Sequence, residues 1–105
     1  MSSSVIKGSM AWKSVSATGS NSLTIPSDAN EAILDIASSN RTVCYSIPLT
    51  KAQLGQRSQI NAGYGYNNKN NAIGVTVDNY VAQLTIFQND GLNMLTGATI
   101  TAYYR

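Results

Sequence analysis

Apolar and polar side chains alternate along most of this chain with a period of two, and that period commits a segment to a half-buried β-strand. In "EAILDIA", Ala32, Leu34 and Ile36 share one face, and Glu31, Ile33 and Asp35 share the other. In "TVCYSIP", Val43, Tyr45 and Ile47 alternate with Thr42, Cys44 and Ser46. "AIGVTVD" sets Ile73, Val75 and Val77 on one side, and "YVAQLTIFQ" sets Ala82, Leu84 and Ile86 against Gln83, Thr85 and Phe87. The final "GATITAYYR" alternates Ala98, Ile100, Ala102 and Tyr104 with Thr99, Thr101 and Tyr103. "MAWKSVSAT" and "NSLTIP" read as two further strands joined by the turn "TGSN".

Turn signals separate these runs at intervals of about 8–12 residues, the spacing of an all-β sandwich or barrel. They stand at Gly19-Ser20-Asn21, Ser38-Ser39-Asn40, Asn67 to Asn71, Asp78-Asn79 and Asn89-Asp90-Gly91, residues that tolerate positive φ. "VTVDNYVAQ" reads as a hairpin turning at Asp78-Asn79. Helical signal is confined to "SDANEA" and "TKAQLG", each about one turn. The reading is an all-β, antiparallel, jelly-roll-like sandwich of about 7–8 short strands with at most one or two single helical turns. Residues 1–9 read as a flexible lead-in and 10–105 as one domain, the natural count for 105 residues.

Composition narrows the function classes. Only 11% of residues are charged, against about 25% in ordinary domains. The net charge of +2 is scattered without a basic run, so no nucleic-acid footprint is visible. No stretch is long enough to span a bilayer as a helix, and no membrane insertion is expected. The chain has no His and a single Cys44, so neither a nucleophile–base–orienter set nor a Cys/His metal cluster can be assembled. Cys44 reads as a small strand side chain. Asp28 and Glu31 lie close in sequence but in a turn, where they serve as caps rather than as a glycosidase pair. No enzyme activity, metal or cofactor is expected.

The candidate ligand-binding residues fall in "NAGYGYNNKNNA", residues 61–72. Tyr64 and Tyr66 are two apart and share a face of an extended segment; Asn67, Asn68, Lys69 and Asn70 form the turn. The plain reading is a hairpin whose rings cover the sheet. The functional one is a stacking platform, with Asn amides offering hydrogen bonds to sugars. Trp12, with Met10 two positions before it, reads as core or interface. Large apolar groups also stand on both faces of several strands: Ile33 opposite Leu34, Phe87 opposite Ile86, Tyr103 opposite Tyr104. One sandwich needs one apolar face per sheet, so the surplus points to a homo-oligomer.

The Trp-bearing first strand, "NSLTIPSDANEAILDI", "TVCYSIPLT", the Gly/Tyr/Asn hairpin and the terminal "TITAYYR" together resemble small bacteriophage virion proteins. More narrowly, they are similar to the C-terminal head domains of phage tail fibre and baseplate proteins. The pattern is a strand ending in Ile/Leu-Pro, a short acidic turn, an Ile/Leu-Leu strand and a second strand ending in Ile-Pro. Here those positions are Leu23-Thr24-Ile25-Pro26, Asp28 to Glu31, Ile33-Leu34 and Ser46-Ile47-Pro48, and the likeness covers about residues 11–105. It brings no catalytic or ligand residues with it. It implies a β-sandwich subunit of the virion, trimeric or in a larger ring, in contact with other virion proteins and able to touch a host-surface glycan. Two readings stay open beside it: a free lectin-like carbohydrate-binding module, and a decoration or scaffold protein with no ligand.

Overall fold

The structure is a computed structural model describing residues 11–66 and 69–105; for residues 62–66, 69 and 70 it describes the backbone only. The expected lead-in, residues 1–9, and Met10 lie outside the described residues. Nine strands and one helix follow in chain order: β1 (Lys13–Thr18), β2 (Ser22–Thr24), β3 (Glu31–Ala37), β4 (Cys44–Thr50), α1 (Lys51–Gly55), β5 (Ser58–Tyr66), β6 (Lys69–Asp78), β7 (Val81–Asn89), β8 (Leu92–Asn93) and β9 (Thr99–Tyr104). They form two antiparallel sheets. The first has the order β1-β9-β3-β4; the second runs β2-β7-β6-β5, with β8 also on β7. The all-β sandwich read from the alternation is what the chain adopts. It is jelly-roll-like in that first and last strands lie side by side, while β3–β4 and β5–β6–β7 are local hairpins.

Apart from Phe87, which takes the place expected for Ile86, the inner faces carry the residues that the alternation assigned to them. Ala32, Leu34, Ile36, Ile47, Leu49, Ile100 and Ala102 from the first sheet meet Leu23, Ile73, Val75, Val77, Ala82, Leu84 and Phe87 from the second in one buried cluster. β1 and β2 do not pair with each other: the chain crosses from one sheet to the other at Gly19, whose φ of +75° favours glycine, and its N–H donates to the Ala98 carbonyl. Of the two expected helical turns, only "TKAQLG" forms a helix. Thr50 caps it through a reciprocal capping box with Gln53, and Leu54 plugs the core from its underside.

Two expectations are corrected. The hairpin between β6 and β7 turns at Asn79-Tyr80 rather than Asp78-Asn79: Asp78 pairs with Val81, and both turn residues have positive φ, 48° and 66°, as a type I′ turn requires. A tyrosine tolerates that strained position because its surroundings fix it. Its N–H donates to the Leu54 carbonyl, its carbonyl accepts from Ile25 N–H, and its hydroxyl donates to the Ala29 carbonyl.

Second, strict alternation in β7 fails at Thr85. Gly74 pairs with Ile86 but Val75 pairs with Leu84, so Thr85 is an extra, bulged residue. The bulge turns Ile86 outward, 42% exposed, and Phe87 fully inward. Thr85 folds its hydroxyl back onto the Gly74 carbonyl at 3.1 Å. A Cβ at position 74 would sit 3.0 Å from both the Thr85 and Asn61 side-chain oxygens, which is why glycine stands there. Once inside, Phe87 meets Tyr45 edge-to-face with ring centroids 5.9 Å apart.

The exchanged faces can be read by stability. Phe87→Ala should cost about 3–5 kcal/mol in chemical denaturation, the range for a buried aromatic truncated in a core. Ile86→Ser should stay within about 0.5 kcal/mol of wild type, as an exposed substitution does. The reverse ranking would place Ile86 in the core and disprove the bulge.

Candidate interaction surface

Alternation puts Ile33 and Asp35 of β3 on the outer face of the first sheet, with Tyr103 and Thr101 of β9 beside them and Thr99 further along. The register divides this face into two halves. In one, Ser14, Tyr103, Ile33 and Pro48 form a single cross-strand row. Tyr103 is 44% exposed, Pro48 is exposed and Ile33 half-buried. Beyond this row Trp12, 39% exposed, lies under the Arg105 guanidinium, 4.3 Å from the ring centroid. Arg105 Nε also faces Glu31 Oε2 at 3.5 Å.

Trp12 is therefore not a core residue. It stands just before β1, the edge strand of its sheet, and its ring packs under the guanidinium of Arg105. That residue is held by its backbone: Asn30 and Glu31 N–H donate to the Arg105 carbonyl, and Arg105 N–H donates to the Glu31 carbonyl. Beside the row a shallow groove of about 460 Å³ opens between Glu31, Ile33, Pro48, Thr50, Asn30 and Lys51.

The other half of the face is polar. Ser16 and Thr101 hydroxyls bond at 2.8 Å, and Thr18 and Thr99 at 3.1 Å. Arg41 Nη1 donates to Asp35 Oδ2 at 3.1 Å; that bond, and then the carboxylate's charge, raise the Arg41 pKa above its ordinary value. Cys44 is exposed at the far edge, its thiol turned to the Arg41 carbonyl at 3.5 Å.

The hairpin residues singled out in the sequence are placed by backbone register alone. Tyr64 pairs with Asn71, Gly65 with Asn70, and Tyr66 with Lys69, so Lys69, Asn70 and Asn71, expected in the turn, belong instead to β6. β7 begins its pairing with β6 only at Ala72, so Tyr64, Tyr66, Lys69 and Asn70 stand on a two-stranded ribbon that runs past the rest of its sheet. Asn67 and Asn68 lie outside the described residues. At the root of the ribbon Asn71 is buried, and its Oδ1 accepts from Asp90 N–H.

Asp28 and Glu31 stand on either side of Asn30, Asp28 in the turn and Glu31 at the start of β3. Among the described residues there is no group of three or more His, Cys, Asp and Glu that could hold a metal ion, and no helix long and apolar enough to cross a membrane. The outer row of Ile33 and Tyr103 was legible in the sequence as apolar surplus. The Trp12–Arg105 contact was not, because it joins residues from opposite ends of the chain. No protein-family model matches this chain, and no curated protein or solved structure matches it.

The Trp12–Arg105 contact is open to a direct check. Trp12→Ala should lower stability by about 0.5–1 kcal/mol, the worth of an exposed cation–π pair. Glu31→Gln should change it by less than about 1 kcal/mol, since that pair is solvent-screened. Thermal unfolding of both variants reads this, and equal, larger losses would mean that Trp12 is part of the core.

Proposed function

We propose that this domain is a non-enzymatic structural subunit of a bacteriophage particle, of the tail-fibre or baseplate kind, which acts by contact with its own copies and with other virion proteins. One observation carries the reading: the row of Tyr103, Ile33 and Pro48, extended by Trp12, on the outside of a sheet whose inside already supplies the core. A sandwich gains nothing from a second apolar face unless something covers it. The low proportion of charge, 11%, leaves little repulsion to oppose such covering. The phage assignment itself rests on the likeness of Leu23-Thr24-Ile25-Pro26, Ile33-Leu34 and Ser46-Ile47-Pro48 to tail-fibre and baseplate heads, and that likeness favours a trimer.

A lectin-like module is the second reading, and the projecting β5–β6 ribbon favours it. A ribbon clear of its sheet can present Tyr64, Tyr66 and Asn70 to a host-surface glycan, with aromatic stacking and amide hydrogen bonds as the recognition chemistry.

Sedimentation velocity distinguishes these readings. The subunit reading expects the wild-type chain to sediment as a trimer or larger species, and Tyr103→Lys to shift it to a smaller one with an unchanged far-ultraviolet circular dichroism spectrum. A wild-type monomer at every soluble concentration would sink that reading. On a glycan array, loss of binding in Tyr64→Ala/Tyr66→Ala protein supports the ribbon site. Wild-type protein that binds no glycan leaves a decoration or scaffold role without a ligand.

A further inference from the structure

Folded β proteins blunt the edges of their sheets, because an open edge offers unpaired backbone N–H and C=O groups to any extended chain. Three of the edges here are blunted. β4 carries Pro48, which has no N–H to offer. The edge formed by β2 and β8 consists of three-residue and two-residue pieces, separated by the Thr85 bulge on β7. β1 is six residues long and carries Lys13.

β5 lacks every such device. It runs nine residues, "SQINAGYGY", with no charge and no proline, and its register with β6 is unbroken from Ser58↔Val77 to Tyr66↔Lys69. Among the described residues it pairs with β6 alone. Its last part continues into the ribbon beyond β7, where no third strand among the described residues supports it. A two-stranded ribbon is marginal in water by itself, so this segment gains from an added strand.

We propose that the free edge of β5 is a strand-addition site that takes β5 of a second copy, antiparallel, across a two-fold axis. Backbone chemistry names an extended strand as the occupant. The neutrality of Ser58–Tyr66 favours the same strand, since like meets like without charge repulsion. An antiparallel self-pairing also closes both open edges in one isologous contact, whereas joining β5 to the β1 edge of another copy leaves an edge free at each end of the chain of subunits. The inference rests on the reading that the domain works in assemblies of its own copies. It differs in surface, since the Tyr103 row lies on the other sheet.

Lysine on this edge is the natural way to close it. Gln59 and Asn61 are exposed, so Gln59→Lys/Asn61→Lys should fold as wild type does; Gln59→Lys alone serves if the Asn61 change disturbs Gly74. By sedimentation velocity, the edge variant should have half the wild-type mass, with an unchanged circular dichroism spectrum. Hydrogen exchange should show β5 amides in the wild type losing protection on dilution. An edge variant that keeps the wild-type mass overturns the strand pairing; if Tyr103→Lys still reduces that mass, the proposed function stands without it. A wild-type monomer overturns both. A monomer whose β5 amides stay protected at every dilution shows that the chain itself covers the edge.

Discussion

Two sheets stacked face to face leave a gap of about 10 Å, enough for one interdigitated layer of side chains. Everything in this molecule depends on filling that layer without overfilling it. Small residues stand beside large ones across the strands: Ala102 and Ile47 flank Leu34, Ala32 pairs with Leu49, and Ala82 pairs with both Val77 and Leu23. Each fully buried Leu or Ile contributes about 1.5–3 kcal/mol, so positions that alternate correctly outweigh any local preference of the strands. The Thr85 bulge follows from this constraint. It brings Phe87 into the layer, against Tyr45, at the cost of one unpaired residue.

A sandwich is open at its ends, and one end here is closed by a short helix and a turn. Leu54 enters from α1, and Tyr80 ties that helix to the approach to β3. Holding a tyrosine at φ +66° costs roughly 1–2 kcal/mol. Three hydrogen bonds, to Leu54, Ile25 and Ala29, each return about 0.5–1.5 kcal/mol. The sum favours the strained turn, which explains why the two-residue loop takes Asn79-Tyr80 rather than the intrinsically easier Asp78-Asn79.

Period-two patterning was enough to read the class of fold and nearly every inward residue of β3, β4, β6 and β9, because alternation is a local property. What it could not give were departures set by distant partners. The bulge in β7 depends on Gly74, eleven residues earlier, accepting the Thr85 hydroxyl. The crossing at Gly19 looks in sequence like any hairpin turn, and only the pairing of β1 with β9 reveals that the chain changes sheets there. The place of Trp12 on the first alternating run, two positions after Met10, suggests core or interface; it is exposed, and its partner Arg105 is too distant in sequence for alternation to reveal. On the candidate surface, Ile33 and Tyr103 were visible as apolar residues out of phase. Their assembly into one row with Pro48 needed the register of three strands.

The scarcity of charge has opposite consequences for the two surfaces where contact is proposed. On the outer face of the first sheet it leaves selectivity to shape, with the Trp12–Arg105–Glu31 cluster at one end and the hydroxyl pairs at the other framing the apolar row. On the β5 edge the backbone groups are the same for any extended chain, so selectivity there requires a restricted approach. The segment supplies one in its own sequence: Gly63 and Gly65 carry no Cβ, so a neighbouring chain can come close there, while Arg57, immediately before β5, places a positive charge at the other end. Two copies running antiparallel put those like charges at opposite ends of the pair, whereas two running parallel would bring them together, and on that ground alone the antiparallel arrangement is the one electrostatics favours.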